Sequence, residues 1–190
     1  MSQESAYIHY EWENADPKGL NDYIIGKFSK NGQSRRIIRF LKKWKQEKFS
    51  TDDSIEKTPP SIGLTLLVVD ELKENESDLL AFQSICKTIL DKFEIEKDVN
   101  GKIISAKIHK YLPVKPFTDV FKKLEGSTSS EISFYKRLKK AVENLNNAVL
   151  CDDDYDAAIY VSKVLGDEFP RPKKMVTQYR TKINEEHSFG

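Results

Sequence analysis

The sequence predicts a mainly α protein with one small β-hairpin at about residues 93–109. Three observations carry that expectation. Apolar residues recur at helical spacing through most of the chain. Capping residues, Pro and Gly fall between those stretches. Only around Asn100-Gly101 does the pattern change to alternation, with a dipeptide suited to the primed turns that match strand twist. No Pro- or Gly-rich linker divides the 190 residues, a length that suits one domain with an appendage.

The elements follow in order. Ala6 to Trp12 alternates weakly and suits a short extended segment. Asp16 caps a helix with Pro17 at its first position, where the missing N–H costs nothing. Leu20, Tyr23, Ile24 and Phe28 supply its buried face, and Asn31-Gly32 is read as its end. The next helix runs from Ser34 to about Lys48: Ile37, Phe40, Leu41 and Trp44 share one stripe, while six cationic residues between Arg35 and Lys45 crowd the remainder. After Thr58-Pro59-Pro60, Ser61 is placed to cap a helix that is apolar on most sides. Ser77 caps another, with Leu79, Phe82, Ile85, Cys86 and Ile89 inward. Leu112-Pro113-Val114-Lys115-Pro116 reads as an extended, proline-stiffened connection. A long helix from about Ser130 to Leu150 and a last one from Asp154 to Gly166 complete the pattern. Residues 1–171 are expected to form one helical lobe and 172–190 a polar, flexible C-terminal tail.

Composition excludes several classes. The 31 basic and 30 acidic residues leave a formal net charge of +1, so wholesale electrostatic attachment to duplex nucleic acid is neither indicated nor required. Cys86 and Cys151 fit no metal-ligand spacing and form no disulfide framework, which suits reduced thiols in the cytoplasm. No run approaches a membrane span, and Met1 to Glu4 lacks the features of a signal peptide.

A catalytic set is not found either. There is no Walker-type phosphate loop, no His-Glu-x-x-His and no Cys-x-x-Cys, and His9, His109 and His187 are scattered. Gly126-Ser127 is followed by no Asp-x-Asp strand, which polymerase-like transfer needs to hold Mg²⁺. The acidic run Asp152-Asp153-Asp154 with Asp156 reads as a helix start favoured by the macrodipole rather than a cation site. Catalytic residues and metal ligands within this chain are therefore both expected to be none.

Three ordered motifs point to a family. They are Arg35-Arg36-Ile37-Ile38-Arg39-Phe40-Leu41-Lys42-Lys43-Trp44 with Pro60-Ser61, then Leu112-Pro113-Val114-Lys115-Pro116-Phe117-Thr118-Asp119-Val120-Phe121, then Lys163-Val164-Leu165-Gly166-Asp167-Glu168-Phe169-Pro170. With the prelude Trp12-Glu13-Asn14-Ala15-Asp16-Pro17, this order resembles the C-terminal half of bacterial cGAS/DncV-like nucleotidyltransferases (CD-NTases), over about residues 7–171. Leu165 stands where that family usually has Phe.

The resemblance implies the helical C-terminal lobe of a polymerase-β-like nucleotidyltransferase. Such an enzyme joins ATP, GTP or other nucleoside triphosphates into a cyclic oligonucleotide signal in antiphage CBASS defence. Its catalytic carboxylates and Mg²⁺ belong to an N-terminal lobe, so the lobe seen here would be active only when completed by that partner. By the resemblance, Lys42 contacts the donor phosphates and Ser61 the same phosphate group at a helix N-terminus. Asp119 touches the acceptor nucleotide, and Gly190 offers a conjugation site to an E1/E2-like partner. Physically, a lysine ammonium is a compact phosphate partner, and helix N-termini favour anions. Lys42 equally suits a solvated helix face, Ser61 a plain cap, Asp119 a turn and Gly190 a frayed end. Trp44 lies on the apolar stripe and suits the core, whereas Trp12 could stack on a base. The alternatives to the enzyme half are a stand-alone, non-catalytic nucleotide- or protein-binding relative and a helical interaction module.

Overall fold

Asp16 and Pro17 start the first helix as their chemistry requires. Helix α1 covers Pro17–Gly26, and the Asp16 carboxylate accepts a hydrogen bond from the Gly19 amide at 2.8 Å. The computed structural model describes residues 15–50, 58–125 and 127–173. The expectations for 6–12, for Trp12, for most of the 172–190 tail and for Gly190 lie outside those residues.

α1 stops at Gly26, earlier than the Asn31-Gly32 end expected from sequence. That dipeptide instead begins α2, Gln33–Lys48: Gly32 is its N-cap with φ +74°, and the Asn31 side chain accepts from the Gln33 amide at 2.8 Å. A residue at positive φ can close one helix or precede another, and glycine takes that conformation without the Cβ penalty. The buried face of α2 is Ile37, Ile38, Leu41 and Trp44, with Gln33 and Ser34 at its start. Phe40, expected on that face, is only partly buried and packs on Phe82 with ring centroids 5.5 Å apart.

α3, Ser61–Glu71, is buried continuously from Gly63 to Val69, as its all-round apolarity requires. α4, Asp78–Asp91, is capped by the Ser77 hydroxyl, which accepts from the Leu79 amide at 3.2 Å. The hairpin then forms where alternation placed it. β1 (Glu94–Lys97) pairs antiparallel with β2 (Ile103–Lys107), Ile95 opposite Ala106, and Gly101 at φ +78° lies in the turn.

Residues 110–120 are not the extended connection that the two prolines suggested. The Val120 amide donates to the Lys110 carbonyl and the Leu112 amide to the Thr118 carbonyl, with a turn closed from Phe117 to Val114. The Lys115–Pro116 bond is cis, which reverses the chain and makes a second, short hairpin. A one-turn helix, α5 (Lys122–Glu125), leads to the long α6, Thr128–Val149. Asp153 caps α7, Asp154–Leu165, by accepting from the Asp156 amide at 2.8 Å, so this part of the acidic run is a helix start.

Among the described residues the architecture is seven helices and one two-stranded sheet. α6 is central, packed against α4, α7 and β2. Its fully buried Phe134 meets Trp44 of α2, Phe93 at the entry to β1 and Phe121 before α5. No helix among the described residues is long and apolar enough to cross a membrane.

Candidate functional site

The seam between the second half of α2 and the start of α3 brings one cation of the basic helix, Lys45, to Ser61. The ammonium of Lys45 donates to the Ser61 hydroxyl at 3.2 Å. Lys42, one turn earlier, is exposed. Its charge is felt by Lys45, whose pKa is lowered first by burial and then by Lys42. Two like charges held together, one of them partly desolvated, disfavour their own charged state and favour an arriving anion.

Ser61 differs from its expected role in one respect. Pro60 occupies the N-cap, and no side chain caps the helix; Ser61 is the first helical residue. Its hydroxyl is free of the capping role and faces Lys45 instead. The first amides of α3 therefore lack the side-chain acceptor that the ends of α1, α4 and α7 possess. Helix-terminal amides, a hydroxyl and an ammonium group are all donors of the kind that anionic oxygens accept from.

The three sequence motifs converge on these two helices. The third reaches α2: Lys43 bridges Glu47 at 2.8 Å and Glu168 at 3.2 Å. Gly166, at φ +97°, lies so close to Glu47 that a Cβ there would fall 2.6 Å from the carboxyl carbon. The second motif reaches α3. A Cβ on Gly63 would stand 2.6 Å from Cζ of Phe121 and 3.0 Å from Val120, so glycine is what lets this segment pack onto the first turn of α3.

Asp119 belongs to that packed segment, but its carboxylate is engaged within it. Oδ1 accepts from the amides of Lys110 (3.0 Å) and Phe121 (2.9 Å), and Oδ2 lies 2.6 Å from Nδ1 of His109. Its turn-forming role is thus filled. Its connection to Ser61 runs indirectly, through Phe121 and Gly63.

The arginines divide. Arg36 pairs with Asp78 through two nitrogens at 2.6 and 3.0 Å, and Arg35 lies over the Phe28 ring at 4.7 Å. Arg39 is exposed on the same side of α2 as Lys42. Trp44 is 1 % exposed and holds core, as expected.

Lys45 was not singled out from the basic crowd. A signal existed: seven residues past Ile38, it sits roughly 20° from that residue around the helix, on the buried side. His109, Glu125 and Glu131 were also passed over. Their elements are unrelated in sequence, and no spacing announces them.

No protein-family model matches the chain. No curated protein matches it either. Solved structures do, and what they share with this chain is its mainly helical fold. One is the cyclic AMP-GMP synthase DncV of Vibrio cholerae in complex with the linear intermediate pppA(3′,5′)pG. It shows a TM-score of 0.57 and 19% identity over 83% of this chain and 38% of that one. A second is a variant of the Vibrio cholerae di-nucleotide cyclase DncV in complex with ATP, GTP and 5MTHFGLU2. It shows a TM-score of 0.55 and 18% identity over 80% of this chain and 36% of that one. The chain thus spans well under half the length of these proteins, and the likeness is one of fold.

Proposed function

We propose that this chain is the nucleotide-gripping lobe, residues 1–171, of an enzyme that joins nucleoside triphosphates into a cyclic oligonucleotide in antiphage defence, working in the cytoplasm. Its partner is a catalytic N-terminal lobe. The observation that carries the reading is the Lys45–Ser61 contact at the uncapped start of α3, with Lys42 beside it. The fold it shares with part of DncV, which was solved with ATP and GTP, supports the same assignment.

In this reading Lys42 and Lys45 clamp the donor phosphates. The Ser61 hydroxyl and the first amides of α3 complete the cradle, and Arg39 extends the cationic stripe. Holding the triphosphate fixed is what such transfer asks of this lobe. Mg²⁺ bound by the partner lobe supplies charge neutralisation. The seam itself, two ammonium groups and a hydroxyl, fits phosphate and not that metal. Asp119 reaches a nucleotide only through Oδ2, and only by giving up its bond to His109.

ATP titrated calorimetrically into the 190-residue chain tests the grip. Lys42→Ala, Lys45→Ala and Ser61→Ala are each expected to weaken binding, the lysine changes by about tenfold, as loss of a charge-assisted contact implies. Unchanged affinity in all three, or no binding by the parent chain, defeats the assignment.

A further inference from the structure

Away from the seam, three segments bring a histidine and two carboxylates together. His109 follows β2, Asp119 closes the second hairpin and Glu125 ends α5. One ligand atom from each of His109, Asp119 and Glu125 can be chosen so that all lie within 4.8 Å of one another. Nδ1 of His109 is 2.6 Å from Oδ2 of Asp119 and 3.6 Å from Oε1 of Glu125.

The set is oriented. Oδ1 of Asp119 is held by two backbone amides, which fixes the carboxylate and leaves Oδ2 directed at the imidazole. Outer contacts of this kind aim metal ligands in known sites. Asp119 is 8% exposed, His109 34% and Glu125 41%, so the cluster is rooted in the protein and open on one side.

Glu131 stands near this set but outside it. It is 5% exposed, and its amide donates to the Ser127 carbonyl at 3.2 Å. Burial raises its carboxyl pKa, and the charges of Lys107, Glu125 and His109 act on it.

We infer that His109, Asp119 and Glu125 form a site for one divalent transition-metal ion of the zinc type, with solvent completing its shell. An imidazole nitrogen among carboxylate oxygens suits Zn²⁺ better than Mg²⁺ or Ca²⁺, which take oxygen. Around an ion with bonds of about 2.1 Å, tetrahedral ligand atoms stand roughly 3.4 Å apart. The His109–Asp119 contact opens by less than an ångström to accept the ion, which displaces the proton now shared between Nδ1 and Oδ2 to solvent. The ion would tie the end of β2, the second hairpin and α5 together, beside the Phe121 segment that packs on Gly63. The inference does not depend on the nucleotide reading.

The test is Zn²⁺ titrated calorimetrically into the metal-stripped full chain, with Co²⁺ as a spectroscopic substitute whose visible absorption reports a tetrahedral nitrogen–oxygen site. One ion per chain is expected. His109→Ala and Glu125→Gln, both at partly open positions, should each weaken binding about tenfold or more while circular dichroism stays unchanged. Lys42→Ala should bind zinc as the parent does, which separates this site from the phosphate seam. No stoichiometric binding by the parent, or parental affinity in both His109→Ala and Glu125→Gln, overturns the inference.

Discussion

Asp78 and Asp70 show how single carboxylates fasten helices here. Asp78 receives both nitrogens of the Arg36 fork and the Gln33 amide at 3.0 Å, joining α4 to α2. Its pKa is lowered, first by Arg36 and then, against the opposing effect of burial, by Gln33. Asp70 is likewise lowered: burial pushes it up, but Lys110 at 2.6 Å, the Tyr23 hydroxyl at 2.6 Å and Lys27 at 3.3 Å more than offset that. A carboxylate whose folded pKa lies below its unfolded value contributes stability above the unfolded value, near 3.9. That contribution fades as pH falls through the folded one. The share of the denaturant midpoint that Asp70 and Asp78 contribute should therefore be level from pH 7 to about pH 5 and decline below about pH 4. Asp78→Asn should lower the neutral plateau and flatten the acid limb; a variant with the parent's full acid slope would show that Asp78 is not a source of it. Residue roles of this kind were only partly readable beforehand. Lys42 and Ser61 are singled out by the motifs, but the residue in contact with Ser61 is Lys45. Lys45 makes the contact because it faces inward at the edge of the Ile38 side, a matter of helical angle that a count of basic residues conceals.

Elements were more readable than their ends. Caps at Asp16 and Ser77 act as their side chains suggest, and the Asn100-Gly101 hairpin forms in place. Errors arose where one residue type serves two geometries. Asn31-Gly32 starts a helix rather than ending one, and Pro116 turns the chain rather than extending it. α5 is too short to show periodicity. Gly63 marks the element-level requirement most sharply, because α3 and the Val120–Phe121 segment approach too closely for any side chain. Gly63→Ala should cost about 1–3 kcal/mol through overpacking, lowering the melting temperature by roughly 2–4 °C for each kcal/mol. The displaced first turn of α3 should also weaken ATP binding beyond the parent's range. A variant with parental melting temperature and parental ATP affinity would mean that Phe121 simply swings aside.

At the scale of the whole molecule, the motifs that stand apart in sequence are held together by one aromatic junction. Phe134 of α6 lies 6.1 Å from the Trp44 ring, 5.1 Å from Phe93 and 6.0 Å from Phe121, so it touches the basic helix, the entry to the hairpin and the segment buttressing α3. It is 0% exposed. Trp44 contributes its indole to this junction although its Nε1 finds no hydrogen-bond partner among the described residues, which indicates that ring packing outweighs that unmet bond. Truncating the junction should therefore be felt across the seam and the core at once. Phe134→Ala is expected to cost about 3–5 kcal/mol, a large share of the roughly 5–15 kcal/mol that stabilises an ordinary domain. Phe134→Leu keeps much of the volume and should lose less than half as much. Both should unfold in one transition by circular dichroism and tryptophan fluorescence, since Trp44 lies in the common core. If fluorescence lost its native signal well before helicity did, α2 would be separable from the α6 core, and the junction would not unite the molecule.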